Sequence, residues 1–146
     1  MNCTFFGHND TPSSVIVPLT EILIDLIDNK DVRRFYVGNH GNFDFYVRKV
    51  LNDLKKKYSF IEYVVVLAYL PKNEEFSSED KYDTIYPEQV ANGPAKFAIL
   101  RRNTYMLENA DYVITYVHRI YGGAQQFKEK AINKGKIVIN ICKYNN

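Results

Sequence analysis

The chain has 146 residues, a length typical of one domain, and 46% of them are hydrophobic, which excludes a disordered chain. Lys and Arg number 19 against 17 Asp and Glu, so charge offers no argument for a nucleic-acid or membrane-surface partner. Cys3 and Cys142 are the two cysteines, and no signal peptide or membrane-length apolar run is apparent. We expect a single soluble, cytoplasmic domain over 1–146 with both thiols reduced.

The chain opens with a strand and a helix. Residues 2–6 predict a buried strand, followed by a polar loop at 7–12. Apolar residues spaced by three and four from Val15 to Ile27 predict the first helix, with Ser13 or Ser14 as its N-cap. Pro18 is tolerated only near the first turn of a helix, which favours a start later than Ser14.

A second strand and helix follow. Residues 34–37 predict the strand, 38–42 a glycine-containing turn, and 43–58 the helix. The lysine run at 55–57 suits the negative end of that helix dipole. The near-continuous apolar run at 61–70 predicts a third strand, buried on both faces of a parallel sheet.

The remainder begins with an acidic loop at 72–83, long enough to be either functional or mobile. Pro94 is predicted to start a third helix that runs to about Asn109. Residues 112–117 predict a fourth strand, and Gly122-Gly123 open a fourth helix closed by Gly135. The last strand is predicted at 137–141.

This alternation predicts an α/β fold: a Rossmann-like open parallel sheet of about five strands, in the order 3-2-1-4-5, with helices on both faces. Right-handed crossovers bring the strand-to-helix loops to one edge of the sheet. Ligands of such folds bind at that edge, where the strand order reverses. The loops expected there are 7–12, 38–42, 71–94 and 118–123.

Two glycine turns at this edge are the main candidates for ligand binding. Glycine permits close backbone approach, and a helix start presents free N–H groups to a phosphate or carboxylate. The alternatives are a tight turn without ligand for the first, and close helix–strand packing for the second. Together the turns favour a nucleotide-like ligand, and His40 either binds it or braces its loop. The backbone candidates, with two residues that end the first strand, are Gly7, His8, Gly38, Asn39, His40, Gly41, Asn42, Gly122, Gly123 and Ala124.

Charged side chains on the last two helices are less specific signals. Arg101 and Arg102 are either a phosphate fork or a solvated surface pair. Glu129 is either a site residue or an exposed glutamate paired with a nearby lysine. HExxH, CxxC and P-loop motifs are absent from the sequence, and the His8/Asp10 pair is too local to indicate a metal. We expect neither a metal nor a cofactor.

The stretch from Arg102 to Val117, followed by Gly122-Gly123, resembles the lysine-decarboxylase-like LOG proteins and the wider SLOG superfamily. Arg102 and Met106 match their R-K-x-x-M segment. Gly122, Gly123 and Glu129 match their PGGxGTxxE motif. Three further runs are similar to small stand-alone SLOG proteins of Gram-positive bacteria and their mobile elements: 3–8, 35–44 and 83–87.

The resemblance implies one of two activities. LOG enzymes are phosphoribohydrolases that cleave the N-glycosidic bond of nucleoside 5′-monophosphates, with the arginine and glutamate at the Arg102 and Glu129 positions catalytic. SLOG domains of bacterial conflict systems instead bind nucleotide-derived signals, some of them ADP-ribose-like. Here the motif's proline, third glycine and threonine are replaced by Tyr121, Gln125 and Gln126, which favours binding over catalysis.

Three hypotheses follow. The first is a module that binds a nucleotide or an ADP-ribose-like ligand, with Arg102 adding charge and Tyr86 or Tyr121 stacking on the base. The second is a LOG-like phosphoribohydrolase that uses Arg102 and Glu129. The third is a ligand-free interaction protein whose acidic loop contacts a partner. The resemblance also implies a homodimer or higher homo-oligomer. From the near-neutral charge we expect no nucleic acid or membrane as partner.

Overall fold

The computed structural model describes residues 1–70 and 82–142, which form an α/β fold of the Rossmann-like class. Within these residues six strands build one sheet: β1 Asn2–Gly7, β2 Arg34–Val37, β3 Glu62–Val66, β4 Thr84–Ile85, β5 Tyr112–Tyr116 and β6 Ile137–Asn140. The helices in the same residues are α1 Ile16–Asn29, α2 Gly41–Lys57, α3 Glu88–Ala91, α4 Ala98–Glu108 and α5 Gly123–Asn133.

The sheet is parallel throughout, in the order β4-β3-β2-β1-β5-β6. The predicted fold class is confirmed, and the predicted order of five strands is present within it. The sixth strand, β4, was not predicted, because its two residues are too few to show a hydrophobic period. The chain leaves β1 on one side for β2 and returns on the other for β5, so the order reverses between β1 and β5.

Several predicted boundaries were wrong. Neither Ser13 nor Ser14 caps α1, because 13–15 form a 3₁₀ turn that leads directly into the helix. Pro18 does lie in the first turn of α1, as its missing N–H requires. The third strand ends at Val66 rather than at residue 70, because its pairing with the short β4 stops at Val66.

The described part of the region predicted as a loop and one long helix contains two helices and a 3₁₀ turn. Short α3 lies within the predicted loop, and Pro94 precedes a 3₁₀ turn at Ala95–Phe97 instead of starting a helix. The helix proper begins at Ala98. Most of the acidic loop at 72–83 lies outside the described residues.

Alternate side chains along the strands point to opposite faces of the sheet, so a hydrophobic core forms on each face. Phe5, Phe35 and Val65 point to one face, where α1 and α2 pack. Their chain neighbours Phe6, Tyr36 and Val66 point to the other face and meet α4 and α5. The prediction of helices on both faces is therefore confirmed. The loops that lead from the strands to these helices lie at the edge of the sheet where β1 and β5 end.

Among the described residues, no helix combines the length and apolarity needed to cross a bilayer.

Candidate ligand-binding site

A cavity of about 440 Å³ opens at the carboxyl edge of the sheet, where β1 and β5 end. Its walls come from the end of β1, the start of α2, one side of α4 and the loop that leads into α5. The lining residues are Phe5, Phe6, Gly7, His8, Asn9, Asp10, His40, Asp44, Ile99, Arg102, Asn103, Met106, Arg119, Tyr121, Gly122, Gly123 and Ala124.

The structure brings part of the predicted residue set together at this cavity. The predicted residues that line it are Gly7, His8, His40, Arg102, Gly122, Gly123 and Ala124, with the proposed stacking ring of Tyr121. The predicted residues that are not among its lining are Gly38, Asn39, Gly41, Asn42, Tyr86 and Glu129. Tyr86 packs instead, half-buried, against the core beneath α1 and α2.

The N-terminus of α5 faces the cavity with its backbone donors free. Gly122 precedes the helix with φ of 97°, a conformation that favours glycine, and no side chain caps the helix. The N–H groups of Gly123, Ala124 and Gln125 have no acceptor among the described residues. These donors, together with the positive end of the helix dipole, make a site for an anion.

The N-terminus of α2 differs, because the protein itself occupies two of its donors. The N–H of His40 donates to Oδ2 of Asp44 at 3.0 Å. The N–H of Asn42 donates to the carbonyl of Asn9 at 2.8 Å. The Asp44 carboxylate also lies in the first turn of α2, where it balances the helix dipole. The two glycine turns look alike in sequence, but only the turn before α2 is bonded to an acidic side chain and to a neighbouring loop.

Arg102 reaches the cavity from α4 and is only 3% exposed. Its Nε donates to Oδ1 of Asn103 at 2.8 Å, and its Nη1 donates to the carbonyl of Val66 at 3.3 Å. Its Nη2 has no partner among the described residues, yet it is not enclosed. Burial lowers the pKa of Arg102, and the negative charge of Asp44 opposes that shift. The guanidinium, which stays charged in proteins, therefore keeps Nη2 without a protein partner in a side chain that lines the cavity.

Asp44 is a residue of this site that the sequence argument missed. It is buried and lines the cavity. Burial raises the pKa of its carboxyl group, against the opposing effects of Arg102, the His40 N–H and Arg48. The sequence feature that could have indicated Asp44 is an acidic residue in the first turn of a helix that follows a glycine turn. That pattern is equally typical of a carboxylate placed there for the helix dipole.

Gly38 does not line the cavity, but it decides how Asp44 and Arg102 are arranged. A Cβ added at this position would lie 2.5 Å from Oδ2 of Asp44 and 2.8 Å from Nη1 of Arg102. The two charged groups therefore flank the same bare backbone position, although they form no direct ion pair with each other. Only glycine leaves room for both.

His8 braces the loop between β5 and α5. Its Nε2 accepts the N–H of His118 at 3.1 Å and the N–H of Arg119 at 3.4 Å. These bonds require a lone pair on Nε2, so the ring is neutral with its proton on Nδ1. Burial, followed by the charges of Arg119 and His118, lowers the pKa of His8 and favours that neutral form.

An ion pair at the rim ties two of the loops together. Arg119 donates to both carboxylate oxygens of Asp10, at 2.9 Å and 2.6 Å. These bonds lower the pKa of Asp10 and raise that of Arg119. The loop after β1 is thus fastened to the loop after β5 on one side of the cavity.

Glu129 lies away from this arrangement. It is exposed on α5, where its Oε1 accepts a hydrogen bond from Nε2 of Gln125 at 3.0 Å. Of the two positions that match the catalytic pair of LOG enzymes, Arg102 lines the cavity and Glu129 does not.

The site contains no familiar metal centre: among the described residues, no group of three or more His, Cys, Asp or Glu side chains is placed to hold a metal ion. The chain matches no protein-family model, and no curated protein matches it. The SLOG resemblance therefore stays a prediction from its motifs.

Proposed function

We propose that this protein binds a nucleotide or a nucleotide-derived, ADP-ribose-like ligand in the cavity between β1 and β5, as a sensor or sequestering module of SLOG type. The observation that carries the proposal is one cavity holding two separate sets of free anion donors. These are Nη2 of Arg102 and the unbonded N–H groups at the start of α5. Its volume of about 440 Å³ lies within the usual range for small-molecule sites.

A phosphate is the group that best matches these donors. Arginine binds phosphate oxygens through its planar fork, and a helix N-terminus adds N–H groups and positive potential. We assign the phosphate to residues 122–124 and Arg102 rather than to 38–42, because donors of the latter turn are bonded to Asp44 and Asn9. The exposed ring of Tyr121 at the rim is then available to stack on a base.

Binding takes precedence over hydrolysis in this proposal for a structural reason. A LOG-like reaction needs a carboxylate beside the sugar carbon that becomes positively charged. The matching carboxylate, Glu129, is exposed and bonded to Gln125 outside the cavity lining. The free donors that face the cavity likewise favour a ligand-binding module over a ligand-free interaction protein, because they suit an anion.

Calorimetric titration tests the proposal. The panel comprises nucleoside mono- and diphosphates, ADP-ribose and cyclic ADP-ribose isomers, and we expect at least one to bind with measurable heat. Arg102→Met should weaken that binding roughly tenfold or more, because a hydrogen bond from a charged group is lost. Lys49→Met removes the same charge from an exposed position on α2 and should leave affinity unchanged.

Two outcomes would contradict the proposal. One is the absence of heat and of any thermal shift with every compound in the panel. The other is release of free base from a nucleoside monophosphate, followed by chromatography, which would favour the hydrolase. Release that persists in Glu129→Ala would further show that this glutamate is not its catalytic carboxylate.

We also propose that the protein self-associates and is cytoplasmic. Large apolar side chains are exposed on α4 and α5, namely Ile99, Leu100 and Ile132, which supports a contact between copies. Both cysteines are free, as expected in a reducing compartment. Light scattering after size exclusion should give a multiple of the chain mass, and the mass of a single chain would contradict self-association.

A further inference from the structure

The two oxygens of the buried Asp44 carboxylate have different surroundings. Asp44 is 8% exposed and lines the cavity. Its Oδ2 accepts the N–H of His40 at 3.0 Å. Its Oδ1 has no donor among the described residues, and it is not one of the fully enclosed polar atoms that lack a partner. An ionised carboxylate oxygen without a protein donor can accept a hydrogen bond from a ligand in the cavity that Asp44 lines.

The place of Asp44 beside Arg102 restricts what that ligand can be. The two side chains flank Gly38 without forming an ion pair, so each keeps a free atom: Nη2 of Arg102 donates and Oδ1 of Asp44 accepts. A free phosphate satisfies the first atom but is repelled by the second. A ligand that uses both atoms carries an acceptor and a donor, as the 5′-phosphate and the hydroxyl groups of one ribose do.

Resting on the nucleotide binding proposed above, we propose that Oδ1 of Asp44 accepts a hydrogen bond from the ribose 2′-hydroxyl, so that the site selects ribonucleotides over 2′-deoxyribonucleotides. An ionised carboxylate only accepts hydrogen bonds, and the 2′-hydroxyl is a matching donor for its one free oxygen. The neighbouring charges of Arg102 and Arg48, which act on Asp44, disfavour a metal cation in the same place.

An exocyclic amino group of the base is the competing donor, and the choice of nucleotides separates the two. Adenine, guanine and cytosine carry such a group, whereas uracil does not. If the amino group binds Asp44, affinity depends on the base and not on the sugar. If the 2′-hydroxyl binds it, affinity depends on the sugar for every base.

The experiment is calorimetric titration of the whole protein with AMP, GMP, CMP and UMP and with their 2′-deoxy counterparts. We expect each ribonucleotide to bind roughly tenfold or more tightly than its deoxy form, the usual effect of one hydrogen bond to a charged group. Asp44→Asn should remove this difference while leaving deoxynucleotide affinity equal or higher, because a negative charge near the phosphate is lost. Asp53→Asn, an exposed carboxylate on the same helix, is the matched control and should keep the preference.

The outcomes distinguish this inference from the proposal beneath it. Equal binding of ribo and deoxy forms, or a preference that follows the base amino group, overturns the role of Asp44 and leaves nucleotide binding intact. Absence of binding by these compounds and by ADP-ribose overturns nucleotide binding and this inference with it. The sugar comparison uses the unaltered protein, so it decides the matter even if Asp44→Asn does not fold.

Discussion

Arg102 and Asp44 show how a single bare backbone position organises charged side chains. Both are buried at the same edge of the sheet, and Gly38 lies between them. Burial opposes the charged form of each, while each charge favours the other. This arrangement leaves Nη2 of Arg102 and Oδ1 of Asp44 without a partner among the described residues.

At Gly38 any side chain should disturb that arrangement. Gly38→Ala places a methyl group against both Asp44 and Arg102, and overpacking of this kind typically costs about 1–3 kcal/mol of the free energy of unfolding. Gly123→Ala is the matched control, because a Cβ there meets nothing within 4 Å. Urea denaturation of both variants checks the prediction, and equal stability of the two would contradict it.

The raised pKa of Asp44 makes its contribution to stability depend on pH. A carboxyl group whose pKa is higher in the folded protein than in the unfolded chain stabilises the fold while protonated, and this contribution is lost as pH rises through the folded value. The free energy of unfolding of Asp44→Asn, relative to the unaltered protein, should therefore increase as pH rises from the acidic range toward neutral. Denaturant titrations across that range measure it. A difference that decreases with pH would show that Arg102 outweighs burial.

At the scale of elements, α2 and α5 both begin at the carboxyl edge of the sheet after a glycine turn, but their first turns have different hydrogen-bond partners. The first turn of α2 is bonded to Asp44 and to the loop after β1, whereas the first turn of α5 is open to the cavity. What holds α5 in place lies further along the helix. Phe127 is buried and stacks on Phe6 of β1 with ring centroids 5.1 Å apart.

The packing of Phe127 should decide whether α5 keeps its position. Phe127→Ala is expected to cost about 3–5 kcal/mol of stability, the usual range for removing a buried aromatic ring. Ile132→Ala, on the same helix but 53% exposed, should change stability by less than about 0.5 kcal/mol. Thermal unfolding compares the variants, and similar midpoints would contradict the packing argument. Hydrogen exchange of the α5 amides reports whether the helix itself loosens.

At the scale of the whole molecule, the sheet buries one of the two cysteines at its centre and leaves the other near its edge. Cys3 is fully buried on β1, between β2 and β5, and burial raises the pKa of its thiol well above the ordinary value. Cys142 follows the edge strand β6 and is only half-buried. The accessibility of the Cys142 thiol therefore reports on local opening near β6, whereas that of the Cys3 thiol reports on unfolding of the centre of the sheet.

Alkylation rates of the two thiols should distinguish local opening near β6 from unfolding of the whole sheet. Under native conditions iodoacetamide should label Cys142 first, and Cys3 should react only as fast as the protein unfolds. Mass spectrometry of the labelled protein with and without urea measures both rates, and Cys142→Ser isolates the slower one. Rapid native labelling of Cys3 would mean that the centre of the sheet opens without global unfolding.

The sequence by itself determined the fold class, the order of its five principal strands and the edge of the sheet where that order reverses. Strand and helix periods are local, and right-handed crossovers leave few ways to connect them. Only the tertiary structure decided which glycine turn is bonded to the loop after β1, that Asp44 lies beside Arg102, and that Glu129 lies outside the cavity. Those outcomes depend on contacts between residues distant in the chain, such as Asn9 with Asn42, and such contacts leave no mark on local spacing.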